Sequence, residues 1–214
     1  MSLTITVAPH PLIDVGAFVC RLEHALSSTE TPEEIRRLAV AGASAPLTPS
    51  DTVKTAVRDL LRHGGFKPAG RSKPASEYLT GALAEGRFPT INALVDACNV
   101  VSLHSGLPIS LVDLDRVDGA LAIKIAPAGT SYPFNPTGQV IDVSGLVCLY
   151  DAQGPTGTPV KDAQRTKTHD DTRNAIAIVW GTKALADRTA IATRWYRELC
   201  TRIAGATVED VTLV

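Results

Sequence analysis

Residues 91–119, INALVDACNVVSLHSGLPISLVDLDRVDG, constrain the fold more than any other part of the chain. Ile91, Leu94, Val95, Cys98 and Val101 recur at helical spacing and predict an amphipathic helix. Thr90, just after Pro89, is placed to cap its start, and Ser105-Gly106 to stop it. Asn92, Asp96, Asn99 and Ser102 recur every three or four positions on the same helix. One helix thus carries an apolar stripe for a core and a second stripe of amide, carboxylate and hydroxyl groups. Leu107-Pro108 then forces an extended chain. Asp113 and Asp115 lead into a turn at Asp118-Gly119 and are expected to hold it by side-chain to backbone hydrogen bonds. Capping and turn chemistry accounts for many of these polar groups; a ligand-facing stripe is the alternative.

Elsewhere the local signals alternate. Residues 3–7 read as a strand, and Asp14 is placed to cap a helix with Val15, Phe18, Val19, Leu22 and Leu26 on one face. Thr31-Pro32-Glu33-Glu34 reads as a capping box opening a helix to about Val40. Thr48-Pro49-Ser50-Asp51 opens another, with Val53, Val57, Leu60 and Leu61 inward and a stop at His63-Gly64-Gly65. A short helix over about 75–85 should pack Tyr78, Leu79 and Leu83. Beyond Gly119, residues 120–126, 139–143, 146–150 and 174–180 read as strands, the last two buried. Residues 128–144 otherwise form a long loop, and 151–159 a Gly/Pro turn region. A helix over 184–204 and a strand from 207 close the chain. Helices then strands, without regular alternation, predict an α+β fold: a central mixed or largely antiparallel sheet flanked by helices. The expected layout is a single domain over 1–214, helical at about 14–105, sheet-rich at about 109–180, ending in a helix and strand at about 184–214.

Composition narrows the chemistry. The 214 residues are 44% hydrophobic and 20% charged, with a net charge of −1, as in a folded soluble protein. No window is long and apolar enough to cross a membrane, and the first residues lack a signal-peptide pattern, so a cytoplasmic protein without a membrane partner is expected. The near-neutral balance argues against bulk DNA or RNA binding but leaves room for one structured RNA held by a local patch. Cys20, Cys98, Cys148 and Cys200 are far apart among apolar residues, as buried free thiols are. The five histidines show no ligand spacing, so no metal and no cofactor is expected. Phosphate-binding and serine-hydrolase motifs are absent from the sequence.

Leu94-Val95-Asp96, Asn99, Gly106-Leu107-Pro108 and residues 112–119 resemble, without gaps, the B3/B4 region of the phenylalanyl-tRNA synthetase beta subunit. There a helix bearing V-V-D-x-x-N leads into G-Q-P and then F-D-x-D-K-I-x-G. Free-standing bacterial proteins of this one domain share the Lys73-Pro74-Ala75-Ser76-Glu77 helix start and the run from Arg165-Thr166-Lys167 to Thr172. The resemblance covers about residues 60–180 and implies a B3/B4-like fold with a pocket at the sheet's edge.

It also implies editing: hydrolysis of the ester joining a wrong amino acid to tRNA, with ATP-dependent ligation belonging to another subunit. Asn99 matches the family's pocket asparagine, Ser110 stands where the family has histidine, and Thr172 keeps its threonine. The family's downstream glutamate is missing unless Asp162 replaces it from a shifted position. Asn99, Ser110, Thr166 and Thr172 are therefore the catalytic candidates, and Asn92, Tyr132, Phe134 and Gln164 the substrate-binding ones. Lys67, Arg71 and Lys73, in a glycine-containing stretch without acidic residues, are either a solvated loop or contacts to tRNA phosphate. Loss of the ionisable pair removes general acid–base help worth about 10²–10⁴-fold. Two functions stay open: a free-standing deacylase of mischarged aminoacyl-tRNA, or a non-catalytic module binding tRNA or an amino-acid-like small molecule.

Overall fold

The computed structural model describes residues 3–214. In chain order the elements are β1 (Leu3–Val7), β2 (Ile13–Leu22), α1 (Glu33–Leu38), α2 (Asp51–Arg62), α3 (Ala75–Ala84) and α4 (Ala93–Ser105). There follow β3 (Ile109–Asp113), β4 (Leu121–Ile125), β5 (Ser131–Pro133), β6 (Val140–Asp142), β7 (Val147–Asp151) and β8 (Gly154–Gly157). The chain ends with β9 (Asn174–Thr182), α5 (Arg188–Cys200) and β10 (Ala206–Leu213). Eight strands form one sheet in the order β3-β9-β2-β10-β1-β4-β7-β8. Only β1, which pairs with β10 and β4, runs parallel to its neighbours. The fold is α+β, with a largely antiparallel mixed sheet flanked by helices. No helix of the described residues is long and apolar enough to cross a membrane.

Several local signals act as read. Val53, Val57, Leu60 and Leu61 are buried on α2, although its cap is Ser50, whose Oγ accepts from Val53 N at 3.3 Å, and not Thr48 ahead of the proline. Gly106 ends α4 at φ 69°, a left-handed conformation that costs glycine little. Other details differ. Asn92, not Thr90, caps α4 through Val95 N, and Ile91 is 64% exposed. The Thr31 hydroxyl caps nothing and donates instead to Asp96 Oδ2 at 2.7 Å. Tyr78, expected to pack, is 57% exposed on α3.

The largest departure lies at residues 14–22. They form strand β2, not a helix, and pair with β9 from Ile13↔Thr182 to Arg21↔Asn174 and with β10 on the other side. Helices and strands pack both faces of such a central strand, so its apolar residues need not alternate, and periodicity cannot tell it from a helix. The long loop at 128–144 holds the β5–β6 hairpin, with Tyr132 opposite Ile141. The Gly/Pro region at 151–159 supplies β8, an edge strand, where proline and glycine are tolerated.

Helix α5 lies directly on β2 and β9. A Cβ built on Gly16 would stand 1.8 Å from Thr193 Oγ1, and one on Gly181 would stand 1.9 Å from Thr189 Oγ1. The glycines let the helix backbone approach, and Tyr196 and Phe18 meet edge to face behind that contact, with ring centroids 4.9 Å apart. Gly181→Ala is expected to destabilise the protein by about 1–3 kcal/mol, the usual cost of overpacking a tight core. Thr189→Ala in the same chain should restore part of the loss, because it removes the nearest atoms. Urea denaturation of the two single variants and the double variant checks this. A Gly181→Ala protein as stable as its parent would show that α5 is free to move away.

Candidate functional site

Helix α4 is buried almost all round, with only Val95 and Asn99 incompletely covered between Ala93 and Ser105. With the half-buried cap Asn92 they form one stripe along the helix. The other polar groups are committed inside. Asp96 accepts from Thr31 Oγ1 and from Ile91 N, and Ser102 Oγ donates to Leu107 O at 2.8 Å. The His104 ring is 2.8 Å from Leu38 O, and Ser105 Oγ accepts from Leu107 N. Asn92 Oδ1 is used by the cap. The Asn99 amide has no hydrogen-bond partner among the described residues and is partly exposed. Its neighbour Cys98 is no nucleophile, since burial pushes the thiol up to about 12.

The segment after β8 brings most of the remaining candidates together. The Tyr132 hydroxyl donates to Lys161 O at 2.5 Å and lies 3.1 Å from Thr158 Oγ1. Gln164 and Tyr132 line one cavity of about 290 Å³, and the buried Gln164 Oε1 is unpartnered among the described residues. Asp162 Oδ1 accepts from Thr158 N at 2.9 Å, and Oδ2 accepts from Leu111 N at 3.2 Å. One carboxyl thus spans from β3 to the end of β8, the two edges of the sheet, which curls until they meet.

Ser110 belongs to the same closure. Its Oγ accepts from Trp180 Nε1 at 2.8 Å and donates to Thr158 O at 3.0 Å, beside the Asp162 carboxyl. The side chain, expected to face a pocket, is fully buried against Gly157. Thr166 is equally buried and donates to Thr156 O at 3.5 Å. Thr172 lies elsewhere. It donates to Asp113 Oδ2 at 2.6 Å, on the face of β3 opposite to Ser110. Asp113 Oδ1 meanwhile accepts from Asp115 N at 2.9 Å, the turn bond expected of it. The four hydroxyl and amide candidates are therefore not gathered round one point, and the three hydroxyls are occupied.

The cations of residues 62–73 also separate. Lys67 is exposed, and Lys73 turns toward α3 and lines a cleft with Ser50, Asp51 and Glu77. Arg71 instead faces Phe134 across a cleft of about 370 Å³. Sequence reasoning passed over Lys161 and Lys167, whose significance depends on Phe134, far away in the chain. It met Asp162 only as an offset substitute for the family's glutamate.

Asp162 is the group with the most chemical capacity. Burial pushes its carboxyl up to about 6, against the Thr158 N–H, the Ser110 hydroxyl, the Leu111 N–H and Lys167, which all favour the charge. The residue as a whole is not completely covered, but both carboxyl oxygens are engaged by backbone N–H groups of the fold.

A B3/4 domain profile matches residues 67–212, and the chain belongs to that family. The phenylalanine–tRNA ligase beta subunit of Cutibacterium acnes is 30% identical to it over 96 residues, 41% of this chain. The chain spans 11% of that subunit's length. An N-terminal fragment of the phenylalanyl-tRNA synthetase beta subunit from Pyrococcus horikoshii superposes with a TM-score of 0.49 and 14% identity, covering 57% of this chain and 42% of that one.

The raised carboxyl generates a stability prediction. Asp162 titrates at about 6 when folded and near 3.8 when unfolded, so between those values the folded state holds a proton that the unfolded state has lost. Its contribution to stability is therefore full below about pH 4 and declines as pH rises through about 6. Asp162→Asn should be less stable overall, because an amide cannot accept from both backbone N–H groups. Its deficit relative to the parent should narrow between pH 4 and pH 7. Melting curves across that range check this, and a deficit that widens with pH would mean that the site favours the carboxylate.

Proposed function

We propose that this protein binds the aminoacylated end of tRNA in the cytoplasm, through a domain related to one of a tRNA synthetase. The observation that carries this reading is Asn99: the family's pocket asparagine, on the accessible stripe of an otherwise buried helix, with its amide uncommitted. The matched beta subunit of a tRNA ligase supports it, as does the cavity shared by Tyr132 and Gln164. Binding without turnover is favoured over hydrolysis, because Ser110, Thr166 and Thr172 spend their hydroxyls within the fold. An amino-acid-like small molecule would use the same amide.

Asp162 favours a second reading specifically. A carboxyl that burial raises to about 6 has the basicity of a general base toward a water attacking an ester. Such an enzyme would hydrolyse mischarged aminoacyl-tRNA with Asp162 taking over the proton transfer.

A panel of correctly and incorrectly charged tRNAs, assayed for binding and for deacylation, tests both. Binding to at least one charged tRNA is expected, tighter than to the uncharged form. Asn99→Ala should weaken it about fivefold, the worth of roughly 1 kcal/mol for one hydrogen bond, while leaving the melting temperature unchanged. Deacylation that disappears in Asp162→Asn would establish the enzyme. Failure to bind any charged tRNA would remove both readings.

A further inference from the structure

Phe134 holds two cations from one segment. Lys161 Nζ stands 3.9 Å from its ring centroid, and Lys167 Nζ donates to its carbonyl at 2.6 Å. Arg71, from the loop before α3, faces the same aromatic across the cleft that Lys161, Gln139 and Asp142 also line. Among the described residues none of the three cations forms an ion pair. Two carboxyls stand near them, Asp142 in the same cleft and Asp162 close enough to favour the Lys167 charge, so three cations face two acidic groups that already accept backbone hydrogen bonds. Burial, and the charges of Arg71 and Lys167, hold the Lys161 ammonium below its usual range; burial does the same to Lys167. Holding like charges together at a half-buried site costs free energy that an arriving anion would offset.

We propose that Arg71, Lys161 and Lys167 form a phosphate-binding cluster beside Phe134. The Arg71 guanidinium fork and the Lys161 ammonium line the cleft, and Lys167, bonded to the Phe134 carbonyl, adds its charge to theirs, a combination that suits the several oxygens of a phosphate better than a flat carboxylate. Lys161 covers the ring of Phe134, so the cluster reads charge and does not stack a base. A cleft of about 370 Å³ has room for a phosphate and its sugar. The phosphate is supplied either by an RNA backbone or by a free nucleotide. The RNA form rests on the tRNA reading above, and it replaces Lys67 and Lys73 by Lys161 and Lys167 as the partners of Arg71.

The test uses the full chain with two probes. One is a fluorescent RNA hairpin with a single-stranded CCA end, titrated from 50 to 200 mM KCl; the other is AMP, followed by thermal shift. Arg71→Gln and Lys161→Gln should each reduce the salt slope of RNA binding by about 0.7–0.9, or about threefold in affinity across that range. Arg37→Gln, which removes the same charge from α1, should leave the slope unchanged. RNA binding whose slope is the same in all variants would overturn the cluster while leaving the tRNA reading intact. If RNA fails to bind but AMP stabilises the parent and not the Arg71→Gln/Lys161→Gln double variant, the cluster stands as a nucleotide site and its RNA form falls, the tRNA reading being decided by the charged-tRNA panel. If neither probe binds, the proposal is wrong.

Discussion

The bond set that the architecture depends on is the closure of the sheet at Asp162. An edge strand presents backbone N–H groups that must find partners, and β3 and β8 are the two edges here. The curl brings those edges within reach of one carboxyl, which accepts from Leu111 N on one side and Thr158 N on the other. Ser110 adds a second link, from the Trp180 indole through its hydroxyl to Thr158 O. Trp180 is fully buried on β9, so the closure is tied directly to the core.

This closure also decides where chemistry is available. It places a carboxyl where burial raises it to about 6, yet it consumes the hydroxyl of Ser110. The position that the family fills with histidine is thus used here for assembly. Helix α4 shows the same economy. Thr31 and the backbone at Ile91 and Leu107 use up the polar groups of Asp96, Ser102 and Ser105, and Asn99 is left over. An unsatisfied buried polar group costs about 1–3 kcal/mol, so a free amide is tolerated only where water or a ligand reaches it.

A nearly neutral chain can still hold a local charge imbalance. The net charge of −1 sums over 21 basic and 22 acidic residues, but many acidic side chains are paired, as Asp151 is by Arg165 and Glu77 by Arg58. Arg71, Lys161 and Lys167 form no ion pair among the described residues, and the fold brings all three to the neighbourhood of Phe134. Composition excludes a protein that coats nucleic acid; it does not exclude a site for one phosphate.

Chain-local physics was legible in the sequence alone. The inward face of α2, the Gly106 stop, the break at Pro108 and the Asp113 turn bond each involve residues a few positions apart, and each acts as its chemistry requires. The strand character of the apolar runs at β1, β4, β7 and β9 was legible for the same reason, and the family was legible as a resemblance carried by residues 94–119. Only the tertiary structure decided that residues 14–22 are a strand, since their partners lie at 174–182 and a segment covered on both faces shows no telling period. It alone decided which polar groups remain free, because Thr31 reaches Asp96 and Trp180 reaches Ser110 from far along the chain. The grouping of Arg71, Phe134, Lys161 and Lys167 is likewise a product of sheet closure, and no spacing in the sequence encodes the distances that closure sets.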